Sequence, residues 1–210
     1  MINLTEFFGP SSPLDELLNG FQSRQGQADM AEEVAYAINE EQHLVVEAGT
    51  GIGKTFAYLV PAMVSGQKVI ISTGTKTLQD QLYHRDLPLI SKAIGRPIAT
   101  ALLKGRSNYL CLNRLELAST NDKFISRDLG LVRQWRHQTA TGDKTELADV
   151  PETSMVWPIV TSTIDNCLGR KCPDYQDCHV MKARQTAQES DLIVINHHLL
   201  LADLTMKEEG

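Results

Sequence analysis

Long hydrophobic runs are missing from this 210-residue sequence: no apolar stretch reaches the ~18 residues that a membrane-spanning helix needs. The opening stretch "MINLTEFFGP" lacks a basic head and an apolar core, so secretion is not expected and the chain reads as cytoplasmic. Positive charge is scarce as well. The net charge of −6 argues weakly against a nucleic-acid partner, but the deficit is uneven. Residues 104–184 carry 12 Lys and Arg against 10 Asp and Glu, whereas the rest of the chain carries 8 against 16. A local phosphate-facing surface and an ordinary solvated surface fit that tilt equally well. Cysteine is absent from the first 110 residues; all four cysteines follow. In a reducing compartment such a group more often binds metal than forms disulfides. No internal repeat or low-complexity segment is present, which sets solenoids aside.

What is present alternates. Residues 1–21 read as an irregular lead-in punctuated by Gly9, Pro10 and Pro13. From Gln27 to Asn39, Met30, Ala31, Val34, Ala37 and Ile38 share one helical stripe. "HLVVE" (43–47) predicts a short buried strand, followed by a glycine turn and a helix from Lys54 in which Pro61 is a candidate kink. "KVIIST" (68–73), "IATALLK" (98–104) and "DLIVIN" (191–196) predict three further strands, with helices through "TLQDQLYHRD", "LCLNRLELA", "RDLGLVRQWRHQ" and "VMKARQTAQES". Strands alternating with helices predict an α/β fold with a parallel sheet. Residues 105–184 interrupt the alternation and read as an insertion carrying the cysteines. The division expected is a lead-in over 1–21, a motor-type domain over 22–104, the insertion over 105–184, and a return to the first domain over 185–210.

The glycine turn runs Ala48, Gly49, Thr50, Gly51, Ile52, Gly53, Lys54, Thr55. It follows the phosphate-loop pattern Gly-x-x-x-x-Gly-Lys-Ser/Thr, with Ala48 as the one departure. Glycines let backbone N–H groups close on phosphate oxygens; Lys54 is placed for the β- and γ-phosphates and Thr55 for Mg²⁺. These two are the candidate catalytic residues. About 25 residues upstream, Arg24 and Gln27 precede a helix, and a glutamine amide can read an adenine edge, which selects ATP.

The cysteines are Cys111, Cys167, Cys172 and Cys178. Four thiolates can close a zinc site or hold an iron–sulfur cluster, and one distant cysteine with three spaced by four and five suits the cubane cluster better. His179 could stand in for Cys178 in a Cys₃His zinc site, and cysteines without a metal remain the third alternative.

Taken together, "RQGQ", "EAGTGIGKT", "VIISTGTKTLQDQL", "LLKGRSNYLC", "TSTIDNCLGRKCPDYQDC" and "DLIVINHHLLLAD" resemble, in this order, one family over nearly the whole chain. It is the iron–sulfur superfamily 2 DNA helicases, the XPD/DinG group, with the bacterial YoaA-type members nearest. The resemblance implies a P-loop NTPase (RecA-like) sheet with an inserted, mainly helical iron–sulfur domain. It implies ATP and Mg²⁺ at the glycine turn, with adenine recognition at Gln27 and Arg24. It further implies DNA-backbone contacts from Ser72, Thr73, Gly74, Thr75 and Gln79, and a [4Fe–4S] cluster on the four cysteines with Arg106 close by. The implied substrates are single-stranded DNA and duplex junctions, unwound 5′ to 3′ in repair or replication, and the implied protein partner is a clamp-loader subunit of the replication polymerase. Tyr109, Trp135 and Trp157 could stack on bases, but such residues are more often core.

One part of the family pattern is not in the sequence. Hydrolysis needs an apolar strand ending in Asp-Glu, and "DLIVIN" ends instead in Asn196, His197 and His198, which read as structural. The expectation is an N-terminal helicase piece, inactive alone, with an incomplete sheet and an exposed edge. The rival readings are a metal-cluster nucleic-acid-binding module without catalysis and a P-loop NTPase of other chemistry.

Overall fold

The computed structural model describes residues 3–18, 20–120 and 122–208, with side chains through residue 205. Residues 1, 2 and 19 of the expected lead-in, and the last two residues of the expected return, lie outside the described residues. Two compact units emerge: residues 1–102 with 189–210, and residues 103–188.

The lead-in is not irregular. Two short helices, α1 (Leu4–Phe7) and α2 (Pro13–Leu17), start on Asn3 and Ser12, whose side chains accept the N–H groups of Glu6 and Leu14. Ser12 also donates to the Phe7 carbonyl, and together they sink Phe7, Phe8 and Leu14 into the first unit's core. Sequence patterning misses them because four or five residues are too few to display a helical period.

Helix α3 (Gln25–Asn39) and helix α4 (Lys54–Val64) pack on each other through Ala28 and Ala31 on one side and Ala57, Leu59 and Val60 on the other. Pro61 lies inside α4, buried. Strand β1 (Val69–Thr73) leads into α5 (Lys76–Gln81), capped by Thr75, which accepts from Leu78 N–H. A widened π turn (Leu82–Asp86) then precedes α6 (Leu87–Ile94). Pro88 explains it: with no N–H for the carbonyl four residues back, the regular ladder breaks just upstream. After β2 (Thr100–Leu103), the first unit resumes at the end of α10 (His179–Glu189) with β3 (Leu192–Asn196) and α11 (His197–Glu208).

The sheet order is β1-β3-β2, with β1 and β3 parallel and paired from Val69 with Leu192 to Thr73 with Asn196. The central strand β3 buries Leu192, Ile193, Val194 and Ile195, as a continuous apolar run covered on both faces should.

One expected strand does not form. Residues 43–47 carry no strand, and Val45 is 98% exposed. A strand needs a neighbour for its backbone groups, and among the described residues none runs alongside this segment. Local composition specifies an extended shape but not a partner.

The second unit packs α7 (Leu112–Leu117), α8 (Lys123–Trp135) and α9 (Val156–Val160) around Leu110, Leu115, Leu129, Val132, Trp135 and Trp157. Asp122 caps α8, accepting from Phe124 and Ile125 N–H groups. Trp135 and Trp157 meet edge to face at 6.3 Å, and Tyr109 is likewise buried, so all three aromatics are core.

Leu59 of α4 is fully buried in the first unit's core. Leu59→Ala is expected to cost about 2–5 kcal/mol, read as a lower urea midpoint for the first unit's transition.

Candidate functional site

In the first unit the glycine turn is held from three sides. Gly51 and Gly53 adopt φ of +82° and +89°, a region costly for any side chain. The Arg24 guanidinium donates to the Gly51 carbonyl at 2.5 Å, and Gln27 Nε2 donates to the Gly53 carbonyl at 2.9 Å. A Cβ at position 53 would fall 2.2 Å from Gln27 Nε2, so a side chain there would have to displace the amide that holds the turn. Lys54 Nζ turns back onto the carbonyls of Ala48 and Gly49, both at 2.8 Å. The loop's carbonyls therefore point to cations and amides, while the first N–H groups of α4 have no carbonyl within the helix to receive them. This is the polarity an anion site needs.

Gln27 is 2% exposed, and its Oε1 has no hydrogen-bond partner among the described residues. A buried acceptor without a donor costs about 1–3 kcal/mol, so the position is primed for one. Thr55 hydrogen-bonds the Tyr58 side chain, and burial, with the Asp86 carboxylate adding to it, pushes the Tyr58 hydroxyl's pKa up. Arg24, Gln27 and the 48–55 turn thus come together. Gly49, Thr50 and Ile52 complete the turn, the Gly49 carbonyl being one of the two that accept from Lys54 Nζ.

The residues expected to meet DNA divide. Ser72 and Thr73 end β1, Gly74 and Thr75 form the exposed turn after it, and Thr73 Oγ1 donates to the Thr75 carbonyl. Gln79 is fully buried and reaches the Val194 carbonyl of β3 at 3.4 Å, so it ties α5 to the sheet. The turn's unexpected neighbour is His197, whose Nδ1 lies 2.6 Å from Ser72 Oγ. Sequence spacing of more than a hundred residues concealed that contact; only the β1–β3 register reveals it.

In the second unit the four cysteines are free thiols, each half-buried. Cys111 begins α7, its N–H donating to the Val160 carbonyl, while Cys167, Cys172 and Cys178 follow one another on tight turns. Burial chiefly raises the Cys111 pKa, a hydrogen bond at Arg114 opposes it, and Cys172, Cys178 and Cys167 each add to the rise. The three downstream sulfurs are thus near enough to act on Cys111. Arg106 donates to Cys167 Sγ at 3.2 Å. Among the described residues no three metal-binding side chains stand at ligand distances from one another. His179, the alternative zinc ligand, packs its ring on Gly142, where a Cβ would fall 2.4 Å away. Burial first, then Lys182, holds its imidazole below the usual pKa.

A buried ion pair anchors the approach to Cys111. Lys104 and Asp143 meet at 2.7 Å, Asp143 also accepts from Thr145, and Tyr109 accepts the Lys104 N–H. Neither Lys104 nor Asp143 was legible as a site residue, since an isolated Lys and Asp 39 positions apart carry no spacing signal.

The sequence model of the DEAD/DEAH box helicases matches residues 26–126. The chain is 54% identical to ATP-dependent DNA helicase YoaA of Escherichia coli (strain K12), covering 99% of this chain and 33% of that protein. Against the Haemophilus influenzae protein of the same name identity is 48%, again over 99% of this chain and 33% of the relative. With ATP-dependent helicase DinG of Mycobacterium tuberculosis (strain ATCC 25177 / H37Ra) it shares 38%, over 88% of this chain and 32% of the relative. The chain spans about a third of the length of these curated relatives.

Removing Lys104 would strand the Asp143 carboxylate in the interior. Lys104→Met is expected to destabilise the second unit by about 3–5 kcal/mol, measured by urea unfolding followed through the Trp135–Trp157 fluorescence.

Proposed function

We propose, on the premise that the chain belongs to the DEAD/DEAH box helicases alongside YoaA and DinG, that it is the nucleotide- and strand-binding part of an ATP-dependent DNA helicase. The observation that carries the reading is the Gln27 amide. Its nitrogen fixes the phosphate loop, and its buried oxygen awaits a donor. An adenine amino group is such a donor, whereas the guanine carbonyl at the same ring position is not. Lys54, now on the Ala48 and Gly49 carbonyls, would hold the β- and γ-phosphates, and the Thr55 hydroxyl would serve as a Mg²⁺ ligand, the ion neutralising phosphate charge. Ser72, Gly74 and Thr75 offer hydroxyl and backbone groups to the phosphates of one DNA strand, with Thr73 and Gln79 holding that edge from within. Movement of the whole protein along this strand is 5′ to 3′ in this reading, and it acts in the cytoplasm on single-strand–duplex junctions.

The second unit holds a [4Fe–4S] cluster on Cys111, Cys167, Cys172 and Cys178. What supports this is the donor set itself: four half-buried thiols, three of them close enough to perturb the fourth, and a guanidinium on Cys167. When bound, the cluster supplies a rigid link between the start of α7 and the turns before α10. Arg106 offsets negative charge at the Cys167 sulfur and so tunes that ligand.

Protein purified without oxygen is expected to contain about four irons and four sulfides per chain, with broad absorbance near 400 nm. One zinc and no sulfide would sink the cluster assignment. Separately, Gln27→Ala, which also frees the Gly53 carbonyl, is expected to weaken ATP binding about tenfold more than GTP binding, as read by competition with a fluorescent nucleotide. Equal losses for both nucleotides would remove the adenine role.

A further inference from the structure

The parallel register of β1 and β3 sets Ser72 opposite Ile195 and Thr73 opposite Asn196. Both strands therefore end at the same edge of the sheet, and the next residues of each, Gly74 on one and His197 on the other, emerge side by side. His197 opens α11 and is exposed. Its Nδ1 is 2.6 Å from Ser72 Oγ, and its Nε2 lies 3.8 Å from where a Cβ on Gly74 would stand. The ring thus leans across the exposed turn that carries Gly74 and Thr75. Among the described residues Nε2 has no hydrogen-bond partner, while the Asn196 side chain accepts the Leu199 N–H and fixes the backbone from which the ring projects.

We propose that His197 is a further nucleic-acid-binding residue, donating from Nε2 to a backbone phosphate of the strand held at Ser72–Thr75. This inference rests on the reading of that turn as a DNA-backbone contact. The chemistry turns on the Ser72 bond. If the Ser72 hydroxyl donates to Nδ1, the neutral ring must carry its proton on Nε2, which makes that atom a donor. A doubly protonated ring donates from Nε2 as well, with Ser72 oxygen accepting at Nδ1. The remaining tautomer would point a lone pair at the phosphate, and an anion selects against it. Ser72 orients the ring and biases its proton, and the ring extends a strip of hydroxyl and amide donors by one imidazole. The small residue at 74 is then what leaves the turn open beneath it: the space a side chain there would fill, in van der Waals contact with the ring, is left to the ligand.

The test uses full-length protein purified without oxygen and a fluorescent deoxythymidine 20-mer, with affinity read by anisotropy at fixed salt. His197→Ala is expected to weaken binding about 3- to 10-fold, the loss of one hydrogen bond to a charged acceptor. His197→Gln, whose amide nitrogen can reach the place of Nε2, is expected to recover most of it, and both variants should melt at the wild-type temperature. The same oligomer is then made with a single methylphosphonate moved along it one position at a time. At one position the substitution should weaken wild type as much as His197→Ala does, yet leave His197→Ala unaffected. A ring that only buttressed the fold would not single out one phosphate. Wild-type affinity in His197→Ala, or a methylphosphonate profile identical in both proteins, overturns the inference while the DNA reading stands. If wild type itself ignores the oligomer, and Thr75→Ala changes nothing, the DNA reading fails and the inference with it.

Discussion

The first unit depends on one pairing, that of β1 with β3. Val69 and Leu192 lie 123 positions apart in sequence, and their parallel ladder has to form across everything between them. Closing so long a loop costs entropy that local contacts cannot offset early, so this pairing is a late, slow event compared with the α3–α4 contact. Everything at the sheet's carboxyl edge follows from it. The turn after β1, the buried Gln79 and the start of α11 have their places only once the register is set. A slip of one residue would exchange the two buried faces on which Ile193 and Val194 pack and part His197 from Ser72.

The glycine turn, by contrast, is assembled from neighbours. Arg24, Gln27 and Lys54 each hand a donor to a loop carbonyl, leaving N–H groups for the ligand side. The two sites thus differ in kind: one is built by short-range contacts between α3 and α4, the other by a long-range register. Each nonetheless lies just ahead of a helix, α4 after the glycine turn and α5 after β1, where the first backbone N–H groups have no carbonyl within the helix.

Legibility followed the same division. The glycine turn, α3, α4, β1, β2, β3 and the helices α7, α8 and α10 carry local patterns, and each appears where its pattern lies, whereas the five-residue α9 shows no period and is not among the expected helices. The segment 43–47 reads as a strand by composition, but pairing is a property of two segments, and no described strand pairs with it. Phe8 and Leu14 enter the core from helices too short to show a period. Lys104, Asp143 and His197 act through partners dozens to more than a hundred residues away, and no single-sequence spacing encodes such contacts. The burial of Tyr109, Trp135 and Trp157 agrees with the ordinary expectation for large aromatics in a small core.

Gly53 carries a last consequence. Its backbone conformation strains any side chain, and the Gln27 amide pressed against it would have to move to admit one. Shortening Gln27 would clear the space but leave the positive φ, and no change elsewhere would relieve both at once. A lineage that replaced the residue at position 53 would bear the backbone strain and the displaced amide in the same step. Position 53 therefore favours glycine by geometry alone, whatever the loop comes to bind.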